Sequence, residues 1–582
     1  MAPLPPVHGH GAQAAADLLL RNAAVYTLDD ASPWAESLAI VDGRIAWVGV
    51  DANATLWIGP ATEVIDLAGR MVLPSFHDAH VHPVSGGIEL GECDLNAAAG
   101  RDEVVAKIRD CAAALPVFPA APLPGAAPAG AAPRPSTTIP ATVWLRGGGW
   151  QLPIFPDANP HKNLLDEIVP DHPAYLSAAD GHSAWVNTRA LQIAGITAAT
   201  PDPPGGRIER DPATGEPTGT LREAATRLVR RHMPGYTLDD HIAGLRRAQE
   251  MANRFGITSV IEANADPLTL RAYAELDRRG ELTMRVRVSL SVNPSEGVEQ
   301  IPALSQMRAA YRSERVRPEA VKIFADGVIE SHTAALLQPY TGLDHRGELN
   351  VGPRPLDDLV AALDREGFQL HVHAIGDRAI RVTLDALEAA RRFNGPRDAR
   401  PLIAHIQLFH PQDVRRFAEL GVIAAVQPLW AYADTYITEL TEPVLGPERS
   451  RWLYPMGSLA ASGAVLACGS DWSVSSMNPL EGIQVAMTRV EPGGHGEAWL
   501  LEERLDLATA IACYTRNGAF AAFEEQINGT IEVGKAADLV VLNRNLFELP
   551  AAQIHQARAM LTLLEGEVVW RDRAFGLGEE SE

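Results

Sequence analysis

Two rhythms of apolar residues alternate along this chain. Short runs of aliphatic and β-branched residues bounded by glycine, proline or polar positions predict strands, and longer stretches with apolar residues three and four apart predict amphipathic helices. Eight such strands are expected in the central part, over residues 71–80, 258–264, 284–292, 320–327, 368–374, 401–406, 421–428 and 464–471. Helices over 238–255, 356–366, 378–393 and 411–420 fall between them. This alternation predicts an α/β protein with a parallel sheet, and eight repeats predict a (β/α)8 TIM barrel whose active site lies at the carboxyl ends of its strands.

The flanks read differently. Residues 17–72 are short alternating strands with a hairpin turn at Asp42-Gly43, and the same style returns over 529–542 and 560–571. A small β domain built from both chain termini, 17–72 plus 526–582, is therefore expected beside a barrel over 73–525. Residues 1–16 read as a loose tail, lacking the basic and apolar regions of a secretory signal. Its His8-Gly9-His10 has no strand to aim the imidazoles. Residues 83–238, after the first barrel strand, form a large insertion expected to act as a substrate lid, with a Pro/Ala-rich loop over 115–141.

Composition narrows the chemistry. With 73 acidic against 50 basic residues and a formal charge of −23, the chain is a poor partner for nucleic acid or an anionic membrane. A length of 582 residues with 46% hydrophobic content fits a soluble enzyme of several units, and no run of about 18 apolar residues predicts a membrane span. Cys93, Cys111, Cys468 and Cys513 form no Cys-x-x-Cys pair. Neither a disulfide framework nor a thiolate zinc site is expected, and a reducing cytoplasm is the expected location.

Metal-ligand residue types gather at the strand ends. His80 and His82 flank one residue at the end of the first strand, so their side chains share a face and can hold one ion. Lys322 is the only basic residue within the apolar fourth strand, and a buried ammonium is costly unless paired, for instance with Asp326, or carbamylated into an anion. His373 and His405 end the fifth and sixth strands; His371 lies two residues deeper and suits a supporting role, and His410 falls in a loop. Asp471 follows Gly469-Ser470 at the top of the eighth strand, where it is either a helix cap or a ligand and proton carrier. Cys468 reads as a packed core thiol. In the insertion, His182 is the candidate for polarising a carbonyl, its alternative being a hydrogen bond to the insertion's own backbone. Trp150, Trp185, Trp430, Tyr432 and Trp472 suggest a pocket for an aromatic or alkyl group, or ordinary packing. Four imidazoles, one potential carbamate and one carboxylate suit two Zn²⁺ or similar divalent ions, which bring the pKa of a bound water from about 15.7 towards about 7.

With these residues in place, the chain resembles the amidohydrolase superfamily, in the branch of the N-substituted formamide deformylases. The likeness is carried by residues 76–83, 144–150, 180–187, 217–223, 321–340, 371–379, 403–413, 469–479 and 529–542. It implies that His80, His82 and Asp471 hold the more buried metal, that Lys322 bridges as a carbamate, and that His373 and His405 hold the second. Two departures are the insert at 115–141 and the run Ile261-Glu262-Ala263-Asn264 after residues 256–260, where relatives often carry a different polar residue. The expected function is metal-dependent hydrolysis of a C–N bond in a small N-substituted molecule by a metal-activated hydroxide, and the expected partners are that substrate and a second copy in a homodimer. The alternatives are a lactonase or esterase, a deaminase, or a non-catalytic metal-binding protein, the last disfavoured because a scaffold needs no six convergent ligands.

Overall fold

The computed structural model describes residues 15–115 and 143–575. Residues 1–14 of the expected tail over 1–16, with His8 and His10, and nearly all of the expected loop over 115–141 lie outside the described residues. At the centre eight parallel strands run in consecutive order: Phe76–Val81 (β1), Ile257–Ala265 (β2), Arg285–Ser291 (β3), Val316–Phe324 (β4), Gln369–Ala374 (β5), Leu402–His405 (β6), Ile423–Val426 (β7) and Leu466–Cys468 (β8). The first and last meet just beyond β8, where the Asp471 N–H donates to the His80 carbonyl at 2.7 Å and the His82 N–H donates to the Trp472 carbonyl at 2.9 Å. Gly469 permits this seam, because a Cβ there would lie 2.5 Å from the His80 nitrogen. Pairing sets Lys322 beside His371 and Ala374 beside His405, so ligand-type residues from successive strands share the carboxyl rim.

Helices cover the outside of the sheet. The helix Leu238–Arg254 starts on a capping box, with the Thr237 hydroxyl accepting from the Asp240 N–H, and buries Ile242, Leu245, Ala248 and Ala252 on one side. Burying such a stripe of apolar side chains stabilises by roughly 1.5–3 kcal/mol for each large residue.

One expected strand divides. The apolar run over 71–80 reads as a single strand, yet Met71–Pro74 pairs antiparallel with Leu539–Leu542 near the carboxyl terminus. Only Phe76–Val81 enters the barrel. The exchange happens at Ser75, whose N–H donates to the Asp538 carbonyl while the next N–H, of Phe76, donates to the Gly256 carbonyl. Hydrophobicity is continuous across this point because both sheets bury it. Strands from the two ends of the chain thus share one six-stranded sheet, beside a four-stranded sheet of Leu18–Arg21, Ser37–Val41, Arg44–Gly49 and Glu63–Asp66. The stretch between β1 and β2 carries its own six-stranded sheet, including Leu145–Trp150, Ala174–Ala178, Ser183–Val186 and Pro217–Glu223.

The cysteines also depart from expectation. Cys93 and Cys111 form one disulfide and Cys468 and Cys513 another, with Cα atoms 5.7 and 5.1 Å apart. Their separations of 18 and 45 residues carry no motif; the fold alone brings them together. Cys468, expected as a free core thiol, is a disulfide partner.

Candidate metal centre

At the top of β1, His80 and His82 lie with ring centroids 5.6 Å apart. Asp471 reaches them from the end of β8: its Oδ1 is 3.1 Å from His82 Nε2 and 3.5 Å from His80 Nε2. The ligand atoms of these three residues all lie within 4.8 Å of one another. Asp471 sits at φ 54°, a left-handed turn that few non-glycine residues adopt, and its Oδ1 is buried with no hydrogen-bond partner among the described residues. An anionic oxygen left so costs several kcal/mol unless a cation fills the gap. Asp471 is not a helix cap, since the following helix, Pro479–Thr488, is capped by Asn478.

Behind this trio, Nδ1 of His80 lies 2.8 Å from Nε2 of His371, whose Nδ1 lies 2.9 Å from the Ser289 hydroxyl. His371 is thus the supporting residue its depth on the strand implies. Lys322 Nζ lies 3.3 Å from His80 Nε2 and makes no ion pair among the described residues. Asp326 is engaged otherwise: its carboxylate accepts from the N–H groups of Ala335, Ile375 and Gly376. Burial pushes the Lys322 amine down to about 7. Near neutral pH much of it is uncharged, the form that adds carbon dioxide.

His373 and His405 stand across from the trio, their ring centroids 4.5 Å apart and that of His405 4.7 Å from His80. Each is oriented by one nitrogen. His373 Nε2 donates to the Gly327 carbonyl at 3.1 Å, and His405 Nδ1 donates to Gln427 Oε1 at 3.1 Å. These bonds fix the tautomers and leave lone pairs on His373 Nδ1 and His405 Nε2. The His405 backbone is left-handed, φ 78°, and its ring stacks on Trp430 at 5.5 Å with planes 4° apart. Five nitrogen and carboxylate donors beside a buried, unpaired lysine are the donor chemistry of a divalent-ion site. His410 lies away from this group, capping the short turn Pro411–Asp413.

From the sheet between β1 and β2 comes His182, its ring centroid 5.3 Å from that of His373. Its Nδ1 lies 3.0 Å from Glu223 Oε2, so its partner is a carboxylate and not the local backbone. Glu223 is itself held at φ 48° and accepts from the Thr333 hydroxyl at 2.7 Å. Burial opposes charge on His182, but the Glu223 carboxylate outweighs it and holds the imidazole up to about 9.

Residues 63–570 match the model of the Amidohydrolase family. The chain belongs to this family. It is 33% identical over 543 residues to Protein LONG AFTER FAR-RED 3 of Arabidopsis thaliana, covering 92% of this chain and 88% of that protein. It is 28% identical over 567 residues to the N-substituted formamide deformylase of Arthrobacter pascens, covering 94% and 97%. A solved structure of a metal-dependent hydrolase from Pyrococcus furiosus superposes with a TM-score of 0.66 at 26% identity, over 91% of this chain and 99% of that one. Family and geometry together make this amidohydrolase a metal-dependent hydrolase of a small molecule, using a divalent ion. No helix among the described residues is long and apolar enough to cross a membrane.

Sequence reasoning passed over two carboxylates of this amidohydrolase. Glu262, which lies within the departing run over 261–264, places Oε1 3.7 Å from His82 Nδ1 and accepts from the Tyr273 hydroxyl on Oε2 at 3.0 Å. Its signal was a glutamate inside an apolar strand, the same kind that drew attention to Lys322. Glu223 offered no signal beyond its place in a resembling block. The aromatic residues divide as well. Trp150 and Trp185 are fully buried with Phe155 in a core of the inserted sheet and line no mouth, whereas Trp430 and Tyr432 are partly exposed on the loop after β7. Trp472 is buried and packs over Gly86.

Proposed function

We propose that this amidohydrolase cleaves the C–N bond of a small N-substituted amide or formamide, releasing an amine and a carboxylate. The observation that carries the reading is Asp471 Oδ1, buried without a donor between two imidazole nitrogens at the carboxyl rim of the barrel. The similarity to a protein named for deformylating N-substituted formamides supports the choice of bond. In this reading His80, His82 and Asp471 would hold one Zn²⁺ and His373 and His405 would hold a second. Lys322, whose Nζ lies 3.3 Å from His80 Nε2, would add carbon dioxide and release a proton, and the resulting carbamate would supply a further anionic ligand. When bound, such ions polarise a carbonyl and bring the pKa of water towards neutrality.

The chain's own groups do the rest. Asp471 Oδ2, 3.7 Å from His405 Nδ1, accepts the proton of the attacking water and passes it to the departing nitrogen. Glu223 takes Nδ1 of His182, so Nε2 is the nitrogen left to donate to the carbonyl oxygen as charge develops there. The inserted segment over 83–238 serves as a lid that brings His182 over the rim, and Trp430 with Tyr432 offers apolar surface to the nitrogen substituent.

A panel of N-substituted formamides and amides, lactones and amino-heterocycles, turned over by metal-loaded protein, tests the reading. Release of a primary or secondary amine with formate or another carboxylate is expected. Opening of lactones or release of ammonia, with no amine from any amide, points to an esterase or deaminase and removes the proposal.

A further inference from the structure

At the amino ends of β3 to β6, on the face of the barrel opposite the metal centre, lies a cavity of about 490 Å³. Five arginines line it, Arg287, Arg308, Arg312, Arg317 and Arg397, against two carboxylates, Glu319 and Asp398. In a chain with a net charge of −23 this is a local reversal of sign.

The pairing does not balance it. Glu319 is shared, with Oε2 3.3 Å from Arg287 Nη1 and 3.5 Å from Arg317 Nη2, and Oε1 2.9 Å from Arg312 Nε. Arg397 is matched by Asp364 at 2.7 Å, and Asp398 is taken by Arg400 at 2.8 Å. Among the described residues Arg308 donates only to the Glu366 carbonyl, at 3.0 Å, with its guanidinium 4.1 Å above the Phe368 ring. Three guanidiniums therefore share the Glu319 carboxylate, and Arg308 beside them is met by a carbonyl and an aromatic face.

Arg287 is the built part of the site. It is 3% exposed, and its Nε and Nη1 are bound to Gln369 Oε1, Glu319 and the Ala522 carbonyl. Its Nη2 has no hydrogen-bond partner among the described residues, although Arg287 lines the cavity. Burial, with the charge of Arg317 adding to it and the carboxylates of Glu319 and Glu524 only partly offsetting it, pushes this guanidinium down to about 10. A buried cation short of counter-charge is costly unless an anion completes it.

We propose that this cavity binds a phosphate group, free or as the monoester of a small metabolite, between Arg287 Nη2 and the guanidiniums of Arg308, Arg312 and Arg317. Guanidinium forks match the oxygen geometry of phosphate and hold it by paired, charge-assisted hydrogen bonds. The volume is in the ordinary range for a small-molecule site and exceeds what one inorganic ion needs. A ligand there is distinct from the substrate, since the two sites occupy opposite ends of the same strands.

Calorimetric titration of the metal-loaded full chain tests this, with inorganic phosphate in one arm and glycerol 3-phosphate in the other, at constant ionic strength set with chloride. We expect saturable binding of at least one probe with Kd below about 1 mM. The same affinity falls at least tenfold in Arg312→Ala and in Arg317→Ala. Tighter binding of phosphate identifies the free ion, and tighter binding of glycerol 3-phosphate identifies a monoester. The side chain of Arg312 is 58% exposed, so Arg312→Ala keeps the unliganded thermal midpoint and decides the matter if Arg317→Ala does not fold. Binding weaker than about 1 mM for both probes overturns the proposal. So does wild-type affinity in the variants, which places the anion at the metal centre.

Discussion

Nε2 of His371 lies 2.8 Å from Nδ1 of His80. With the Nε2 lone pair of His80 free for a metal, its Nδ1 carries the hydrogen and donates to His371, whose own Nδ1–H donates to Ser289 Oγ. Such supporting bonds orient a ligand and raise its basicity. His371→Asn should weaken Zn²⁺ binding by about 10- to 100-fold, read by competition with a coloured chelator, and Ser289→Ala should act less strongly in the same direction. Unchanged affinity in both variants would show that the relay does not tune His80.

His182 makes its case through Glu223. Loss of one oxyanion donor costs roughly 100- to 1,000-fold in kcat. His182→Ala should therefore lower kcat by about that factor with KM nearly unchanged, and Glu223→Gln, which keeps the shape but removes the charge, should fall in between. A variant that raises KM alone would make His182 a substrate-binding residue and not a stabiliser of the transition state.

His77, at the amino end of β1, ties the barrel to the carboxyl-terminal strands. Its Nε2 donates to Asn528 Oδ1 at 3.1 Å, and Asn528 Nδ2 donates to Asp538 Oδ2 at 3.1 Å. Burial lowers His77 from 6.5 to about 4, so the folded protein takes up this proton later than the unfolded chain as pH falls. The resulting stability is complete above pH 6.5 and is lost as pH falls towards 4, by about 3 kcal/mol in all. Urea unfolding at pH 7 and at pH 4.5 should show a smaller pH-dependent loss in His77→Gln than in wild type. Equal losses in the two proteins would assign the acid sensitivity to other groups.

The barrel was legible because each of its strands is an apolar run that closes on a polar residue at the rim. That habit exposed His80, His82, Lys322, His373, His405 and Asp471 without any knowledge of contacts, and the structure brings these side chains together. What stayed hidden depends on pairing in three dimensions. The change of sheet at Ser75 leaves no trace in hydrophobicity, because both sheets bury the run. Cys93, Cys111, Cys468 and Cys513 meet through strand and helix placement that spacing does not encode. Trp150 and Trp185 look the same in the core of the inserted sheet as at a mouth. Glu223 and Glu262 are two among 73 acidic residues and become significant only beside His182 and His82.

The most direct measurement is the divalent-metal content of dialysed wild-type protein and of Lys322→Ala, taken with the hydrolysis rate of the best amide substrate. Two ions per wild-type chain are predicted, with at most one in the variant and turnover lower by about 100-fold or more. A Lys322→Ala protein that keeps both ions and full turnover, or a wild type that is fully active after its metal is stripped, would contradict the account.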